Sequence, residues 1–293
     1  MVDISQTKIE EIHRKVMYPV VRVRTEKSGG SGLIIYSKPT PENPEIFETY
    51  VITCWHVVED AIQFVTQWSS IAQRNLTVED RQLVQVEVFK YEKLSRCIGS
   101  TSLQAEIVAW DKNFDVAILK LKCEDEFKNV AKLYPKGAED DIKLGRPLVT
   151  CGCSLGHEPI FTLGNLVAKH DMIENKEYWM STANSIFGNS GGAVFLSDTY
   201  EYIGITARIT TLQLGFGVDV ITWMGFMIPI TNIYSFINDE FLQFIYDPAY
   251  TSTKCAEMRK AKMLEEEKRL ILPAEVPKGG RLVKRDDSKG PSN

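Results

Sequence analysis

The sequence predicts an all-β protein built in two halves, with a helix before them and another after. Three observations carry this reading. Short runs rich in Val, Ile, Thr, Tyr and Phe recur along residues 20–230, separated by polar or glycine-containing turns, as expected of many short strands in a barrel or sandwich. A Lys/Asp/Glu-rich connector at about 124–146 divides those runs into two batches of similar number. Helical spacing of apolar residues is confined to the ends of the chain.

At the start, Ile4, Ile9, Ile12 and Val16 recur at helical spacing among Glu, Lys and Arg, which predicts an amphipathic entry helix over 1–17 with His13 as a surface residue. Val20–Arg24 and Leu33–Tyr36 alternate or run apolar around Gly29-Gly30-Ser31-Gly32 and read as a hairpin joined by the glycines. After a proline-rich loop at 39–44, residues 49–54 resume strand character. Further strands are expected at 63–68, 83–91, 103–110 and 116–121, with 69–80 as a polar excursion. The second batch comprises 147–153, 160–169, 178–181, 193–197, 202–209 and 225–230. Ile233, Phe236, Ile237, Phe241 and Phe244 then place one apolar face on a helix at 230–246.

These limits give a first barrel at about 18–123, a second at about 145–232, and one folded domain at 18–247. From 248 to 293 the composition becomes charged, first helical and then poor in large apolar residues, so the tail's far end is expected to be disordered. From residue 251 onward the net charge is about +4, against about −9 for the rest.

The chain has 293 residues, 44% hydrophobic and 25% charged, with a formal net charge of −5. That length and composition suit a globular protein with a sizeable core. The charge gives no reason to expect a nucleic-acid partner. Residues 1–11 show no basic stretch followed by an apolar core, and no run of about 18 apolar residues occurs. The expectation is therefore a cytoplasmic protein without a membrane span, and its six cysteines read as reduced thiols. Cys151-Gly152-Cys153 lacks a second Cys/His pair at zinc-finger spacing, so these two cysteines read as small buried apolar residues, and neither a metal nor a cofactor is expected.

The densest chemical signal is Gly188-Asn189-Ser190-Gly191-Gly192 ahead of the apolar run 193–196. Glycines permit positive φ and close approach, so this stretch is either a plain glycine-rich turn or a loop that exposes the Ser190 hydroxyl beside backbone N–H groups. The second option is what acyl transfer needs. A base would have to come from one of only four histidines, at 13, 56, 157 and 170. His56 follows the apolar run 51–54 at a strand end, where its ring can be held facing a cleft, and histidine exchanges protons near neutrality. Asp115, at the head of the apolar run 116–121, is the carboxylate placed for burial, which requires a cationic or N–H partner. Asp111 lies in a polar turn and reads as solvated, and His157 reads as an exposed loop residue.

The order His56, Asp115, Ser190, together with seven surrounding runs between about 30 and 230, resembles the chymotrypsin-fold (trypsin-like) serine proteases, and more narrowly their HtrA/Deg branch. The runs include Ser31 to Ile35 leading to Val51-Ile52-Thr53-Cys54-Trp55-His56, Ala105 to Asp111 leading to Asp115-Val116-Ala117-Ile118-Leu119, Gly152 to Gly156, Thr162 to Val167, Gly188 to Gly192, Tyr202 to Ile205, and Gly225 to Ile230. The resemblance implies a chymotrypsin-like double β-barrel and a serine endopeptidase. Ser190 would be the nucleophile, His56 the general base and then acid, and Asp115 the carboxylate that orients it. The N–H groups of Gly188 and Ser190 would form the oxyanion hole.

By the same resemblance Ile186, Ile209 and Thr210 would line the substrate pocket, where the absence of Asp and Glu favours a small or medium apolar residue before the scissile bond. The partner implied is a polypeptide substrate, and the family's trimeric assembly makes a homotrimer one option. Two departures stand out: Trp55 occupies a place usually held by a small alanine, and the segment 183–187 is one residue shorter than the usual loop. After 247 the sequence leaves no room for a PDZ domain. A protease fold without activity, binding peptides or serving a structural role, is the competing reading. An α/β-hydrolase is excluded because no histidine follows Ser190.

Overall fold

The computed structural model describes residues 6–69, 74–214 and 216–271. Helix α1 (Gln6–Ile12) runs on into a wider π-type turn, His13–Met17. Strands β1 (Val20–Arg24), β2 (Gly29–Pro39) and β3 (Phe47–Thr53) lead into a single-turn helix, α2 (Trp55–Val58). Strands β4 (Ile62–Ser69) and β5 (Arg74–Arg81) form a separate antiparallel pair. Strands β6 (Val84–Glu92), β7 (Arg96–Asp111) and β8 (Val116–Leu121) then close a six-stranded barrel in the order β1-β2-β3-β8-β7-β6.

The second half holds β9 (Lys132–Leu133), β10 (Pro147–Gly152), β11 (Ile160–Ile173), β12 (Lys176–Ser181), β13 (Ala193–Leu196), β14 (Glu201–Leu214) and β15 (Gly217–Pro229). Their order is β13-β10-β11-β12-β15-β14-β9, and the additional ladder between β13 and β14 closes the first six into a second ring, with the two-residue β9 added on β14. Closure removes the open edges that would otherwise template aggregation. The fold is a mostly-β, chymotrypsin-like double barrel. Helix α3 (Ile230–Asp239) buries Ile230, Ile233, Phe236 and Ile237, and α4 (Ser252–Ile271) follows.

Four local expectations change. The glycines at 29–32 lie inside β2 rather than in the turn, which falls at 25–28. A Cβ on Gly32 would come within 2.8 Å of Val51 Cγ1 and 2.9 Å of Val23 Cγ2, so the small residue is a packing requirement inside the barrel. The polar segment 74–81 is a strand because every residue of it is registered against β4. Strands β14 and β15 extend well past 209 and start well before 225, as a long hairpin that the sequence pattern did not announce.

His13 is buried, not surface. Its Nδ1 lies 2.8 Å from the Ile9 carbonyl, to which it donates, and its Nε2 lies 2.8 Å from Ser95 Oγ, from which it accepts. The helical expectation for 254–270 falls within α4, whereas the disorder expected toward 293 lies outside the described residues. Among the described residues no helix is long and apolar enough to cross a membrane, and no strand follows β15.

Candidate active site

Asp115 stands between β7 and β8 with φ +58°, a left-handed conformation that Asp tolerates better than most residues. Its carbonyl accepts the Trp55 N–H at 3.1 Å, and its Oδ1 accepts the His56 N–H at 3.1 Å. These two bonds fix the start of α2 against the head of β8. The His56 ring then faces the carboxylate, with Nδ1 3.0 Å from Oδ1 and 2.9 Å from Oδ2. The Asp115 side chain is 8% exposed and that of His56 37%, so the ion-pairing edge is dry while the opposite edge of the ring opens to solvent. A carboxylate in that position holds the imidazole as the Nδ1–H tautomer, leaving Nε2 to accept a proton.

Trp55 finds its room outward. Its ring stacks on Trp110 at 6.3 Å, with the Lys112 ammonium 4.9 Å from its centroid. Phe64 of β4 meets the same Trp110 edge-on, and Glu79 of β5 accepts the indole N–H at 2.5 Å. The β4–β5 pair is thus anchored beside the histidine.

Ser190 shares a cleft of about 500 Å³ with His56 and Gly188. Its hydroxyl donates to the Ala207 carbonyl at 3.5 Å. The loop around it is held by tight glycine contacts. Gly188 has φ +92°, and a Cβ there would sit 2.6 Å from Cys153 O and 2.7 Å from Leu155 N. Gly191 has φ +85°, and its Cβ would fall 2.0 Å from Ser31 O. No larger residue fits either place without moving backbone.

The Phe187 carbonyl accepts the Leu155 N–H at 2.8 Å. Because a trans peptide points C=O and N–H in opposite directions, this bond turns the Gly188 N–H the other way. Among the described residues, neither the Gly188 nor the Ser190 N–H has a protein acceptor.

Ser31 of the first barrel ties this loop down. Its N–H donates to Ser190 O at 2.8 Å, its hydroxyl donates to Gly188 O at 2.7 Å, and the same hydroxyl accepts Cys153 N–H at 2.7 Å. The neighbouring Gly30 has a physical reason as well: a Cβ would lie 2.7 Å from Ser190 O.

Of the residues expected to line the pocket, Ile186 and Ile209 line the cleft with Ser190, while Thr210 falls outside it, its hydroxyl donating to Met224 O at 3.0 Å. Sequence reasoning missed Ser185, Thr206, Ala207 and Arg208 in the lining. Ser185 is buried, and its Oγ has no hydrogen-bond partner. Arg208 is paired with Glu174 and lies over the Tyr178 ring at 5.3 Å. A polar residue five positions before a serine nucleophile was the available signal for Ser185. Asp111 accepts the N–H groups of Asn113 and Phe114 as a turn residue, and His157 is exposed. Cys151 and Cys153 are both buried. Burial pushes the Cys153 thiol up to about 12, which keeps it protonated and inert.

A family model described as a trypsin-like peptidase domain matches residues 30–205. The chain belongs to the trypsin-like peptidase family. Among relatives of this trypsin-like domain are two proteins named probable periplasmic serine endoprotease DegP-like. The one from Pseudomonas fulva (strain 12-X) is 30% identical over 198 residues, covering 67% of this chain and 32% of its own. The one from Pseudomonas putida (strain GB-1) is 30% identical over 212 residues, covering 71% and 34%. The chain spans about a third of the length of these curated relatives.

Among solved structures, the HtrA-type protease AlgW with tripeptide superposes with a TM-score of 0.55 at 19% identity, over 81% of this chain and 64% of that one. Deg5 does so with 0.53 at 19%, over 78% and 92%. At such identities the likeness speaks for the trypsin-like fold. The relatives' names overturn the expectation of a cytoplasmic location, since they point to the periplasm. That expectation rested on the look of residues 1–11 and on the lack of a long apolar run, which decide nothing in a chain that spans a third of its relatives.

Proposed function

We propose that the trypsin-like domain is a serine endopeptidase acting through an acyl-enzyme. The observation that carries the reading is the His56 imidazole facing both carboxylate oxygens of Asp115 at the mouth of the cleft that holds Ser190. Ser190 Oγ attacks the scissile carbonyl carbon while its proton passes to His56 Nε2. The negative charge that develops on the carbonyl oxygen meets the acceptor-free N–H groups of Gly188 and Ser190, the largest electrostatic contribution in such reactions. His56 then returns the proton to the departing amine, and water repeats the sequence to release the acid. Asp115 keeps the ring in its tautomer throughout.

Ile186 and Ile209 supply an apolar wall for a small or medium side chain before the scissile bond. No carboxylate lines the cleft among the described residues, so a basic side chain gains no partner there. The relatives' names, periplasmic serine endoproteases, support polypeptides outside the cytoplasm as the substrate class. The bond from Ser190 Oγ to Ala207 O favours a second reading, a fold that binds peptides without cutting them. A fluorophosphonate probe separates the two: labelling of the wild type that disappears in Ser190→Ala supports the peptidase, whereas an inert wild type sinks it.

A further inference from the structure

Behind the histidine lies a thiol that acyl transfer does not use. Cys54 is the residue before α2 and is fully buried, and its Sγ donates to the Thr206 carbonyl at 3.5 Å. Cys54 Sγ, a ring nitrogen of His56 and an Asp115 carboxylate oxygen all lie within 4.8 Å of one another, and Nδ1 is the nitrogen that faces Asp115. Among the described residues this is the one group of three His, Cys, Asp or Glu side chains that could hold an ion together.

We propose that Cys54, His56 Nδ1 and Asp115 form a site for a borderline-soft divalent cation, Zn²⁺ or its congeners Co²⁺ and Cd²⁺, and that filling it switches hydrolysis off. The switching part rests on the peptidase reading above; the binding part does not. Tetrahedral zinc holds sulfur at about 2.3 Å and nitrogen or oxygen at about 2.0–2.2 Å, which puts neighbouring donor atoms roughly 3–3.5 Å apart. Nδ1 and the carboxylate oxygens, at 2.9 and 3.0 Å, already stand near that spacing. Sulfur, within 4.8 Å of the other two donors, has to close by only about 1 Å. Three protein donors leave a fourth position for water, the pattern of an open zinc site.

Charge favours the same occupant. One thiolate and one carboxylate neutralise a divalent ion, so the filled site is neutral where an isolated buried charge would be costly. In the metal-free protein, burial and the Asp115 carboxylate hold the Cys54 thiol well above its ordinary range. A cation bound between the two reverses both effects. The 37% exposed His56 side chain is the outer wall of the site, and a swing of the ring admits the ion.

Binding balances without electron transfer. The Cys54 S–H proton goes to solvent as the metal–sulfur bond forms. The imidazole stays neutral, its proton moving from Nδ1 to Nε2 as the metal takes the Nδ1 lone pair, for a net release of one proton. A protonated Nε2 cannot take the Ser190 proton, so the filled site is inactive by tautomer rather than by blocking the cleft.

The test uses chelator-treated full-length protein titrated with Co²⁺, then with Zn²⁺, in wild type, Cys54→Ala and Cys54→Ser, each checked for folding by circular dichroism. The expected result is a thiolate-to-cobalt charge-transfer band in wild type that is lost in both variants. Zn²⁺ inhibition of fluorophosphonate labelling should weaken at least tenfold in both, and chelator should restore the wild type. A cobalt spectrum without the charge-transfer band, or one unchanged by removing the thiol, overturns the site. Equal zinc inhibition in all three proteins overturns the switch. If the wild type is never labelled, the peptidase reading and the switch fall together, and the cobalt spectrum still decides the site.

Discussion

Replacing Asp115 by Asn changes one atom and keeps the shape, so its effect follows from the geometry. Oδ1 accepts the His56 backbone N–H at 3.1 Å, while Oδ2 stands 2.9 Å from Nδ1. The backbone N–H can only donate, so the amide oxygen must occupy the Oδ1 place and the NH₂ group the Oδ2 place. An Nδ1–H would then confront another N–H at 2.9 Å and keep only an oxygen at 3.0 Å that already accepts the backbone N–H, so the imidazole proton moves to Nε2 and Nδ1 accepts from the NH₂ group. The base is left facing Ser190 with a proton it cannot exchange. Loss of the correct tautomer lowers kcat about 10⁴-fold, which is about 5.4 kcal/mol at 1.36 kcal/mol per decade.

The assay is cleavage of a fluorogenic denatured-protein substrate by wild type, Asp115→Asn and Ser190→Ala, the last setting the floor, with melting temperatures measured alongside. The variant should remain folded, fall to within tenfold of the floor and lose fluorophosphonate labelling. Activity within tenfold of the wild type would refute the assignment of Asp115 and, with it, the tautomer argument.

Three further outcomes are expected. Gly188→Ala forces a Cβ into Cys153 O and Leu155 N and displaces one of the two free N–H groups, so kcat should fall 10²–10³-fold, about 3 kcal/mol, with KM nearly unchanged. Ser185→Ala removes an unpaired hydroxyl from the cleft. Paired peptides with Thr or Val before the scissile bond should shift about 2–10-fold toward Val, the size of one net hydrogen bond of about 0.5–1.5 kcal/mol; an unchanged ratio would place Ser185 outside the pocket. Burial holds the Glu240 carboxyl above its ordinary range against the pull of Lys262, Arg81 and Arg259. The folded state therefore disfavours the ionised form, and stability present at low pH is lost as pH rises through the folded-state value. Glu240→Gln should raise Tm at about pH 8 and leave it unchanged at about pH 3, read by differential scanning calorimetry.

Each residue of the candidate triad carries a local sign in the sequence: glycines around Ser190, a strand end before His56, an apolar run after Asp115. Strands such as β8 and β13, buried almost throughout, were equally plain, since a continuous apolar run has few other uses. What stayed hidden depends on partners distant in sequence. Arg74–Arg81 looks like a loop until β4 pairs with it, and His13 looks solvated until Ser95 covers it. The place of Arg208 on the cleft follows from the register of β14 and β15, which breaks between Thr206 and Arg208 and again between Ile209 and Thr210, and Ser185, on the loop after β12, is held by its N–H bond to Thr222 O of β15. The resemblance places Thr210 on the cleft beside Ile209, but the register break between the two leaves its hydroxyl on Met224 O instead.

Ser31 reaches the loop at 188–192 across 157 positions of chain, and its two bonds to that loop, with a third to Cys153, all cross from one barrel to the other. Closing so long a loop is entropically expensive and comes late in folding. Each half can therefore build its own sheet while the loop at 188–192 is still unshaped, and that loop takes its form only when the halves dock. The same dependence runs in reverse on heating or in denaturant: prying the barrels apart frees Gly188 and Ser190 from Ser31, so the shape of this loop is an early property to disappear and a late one to return.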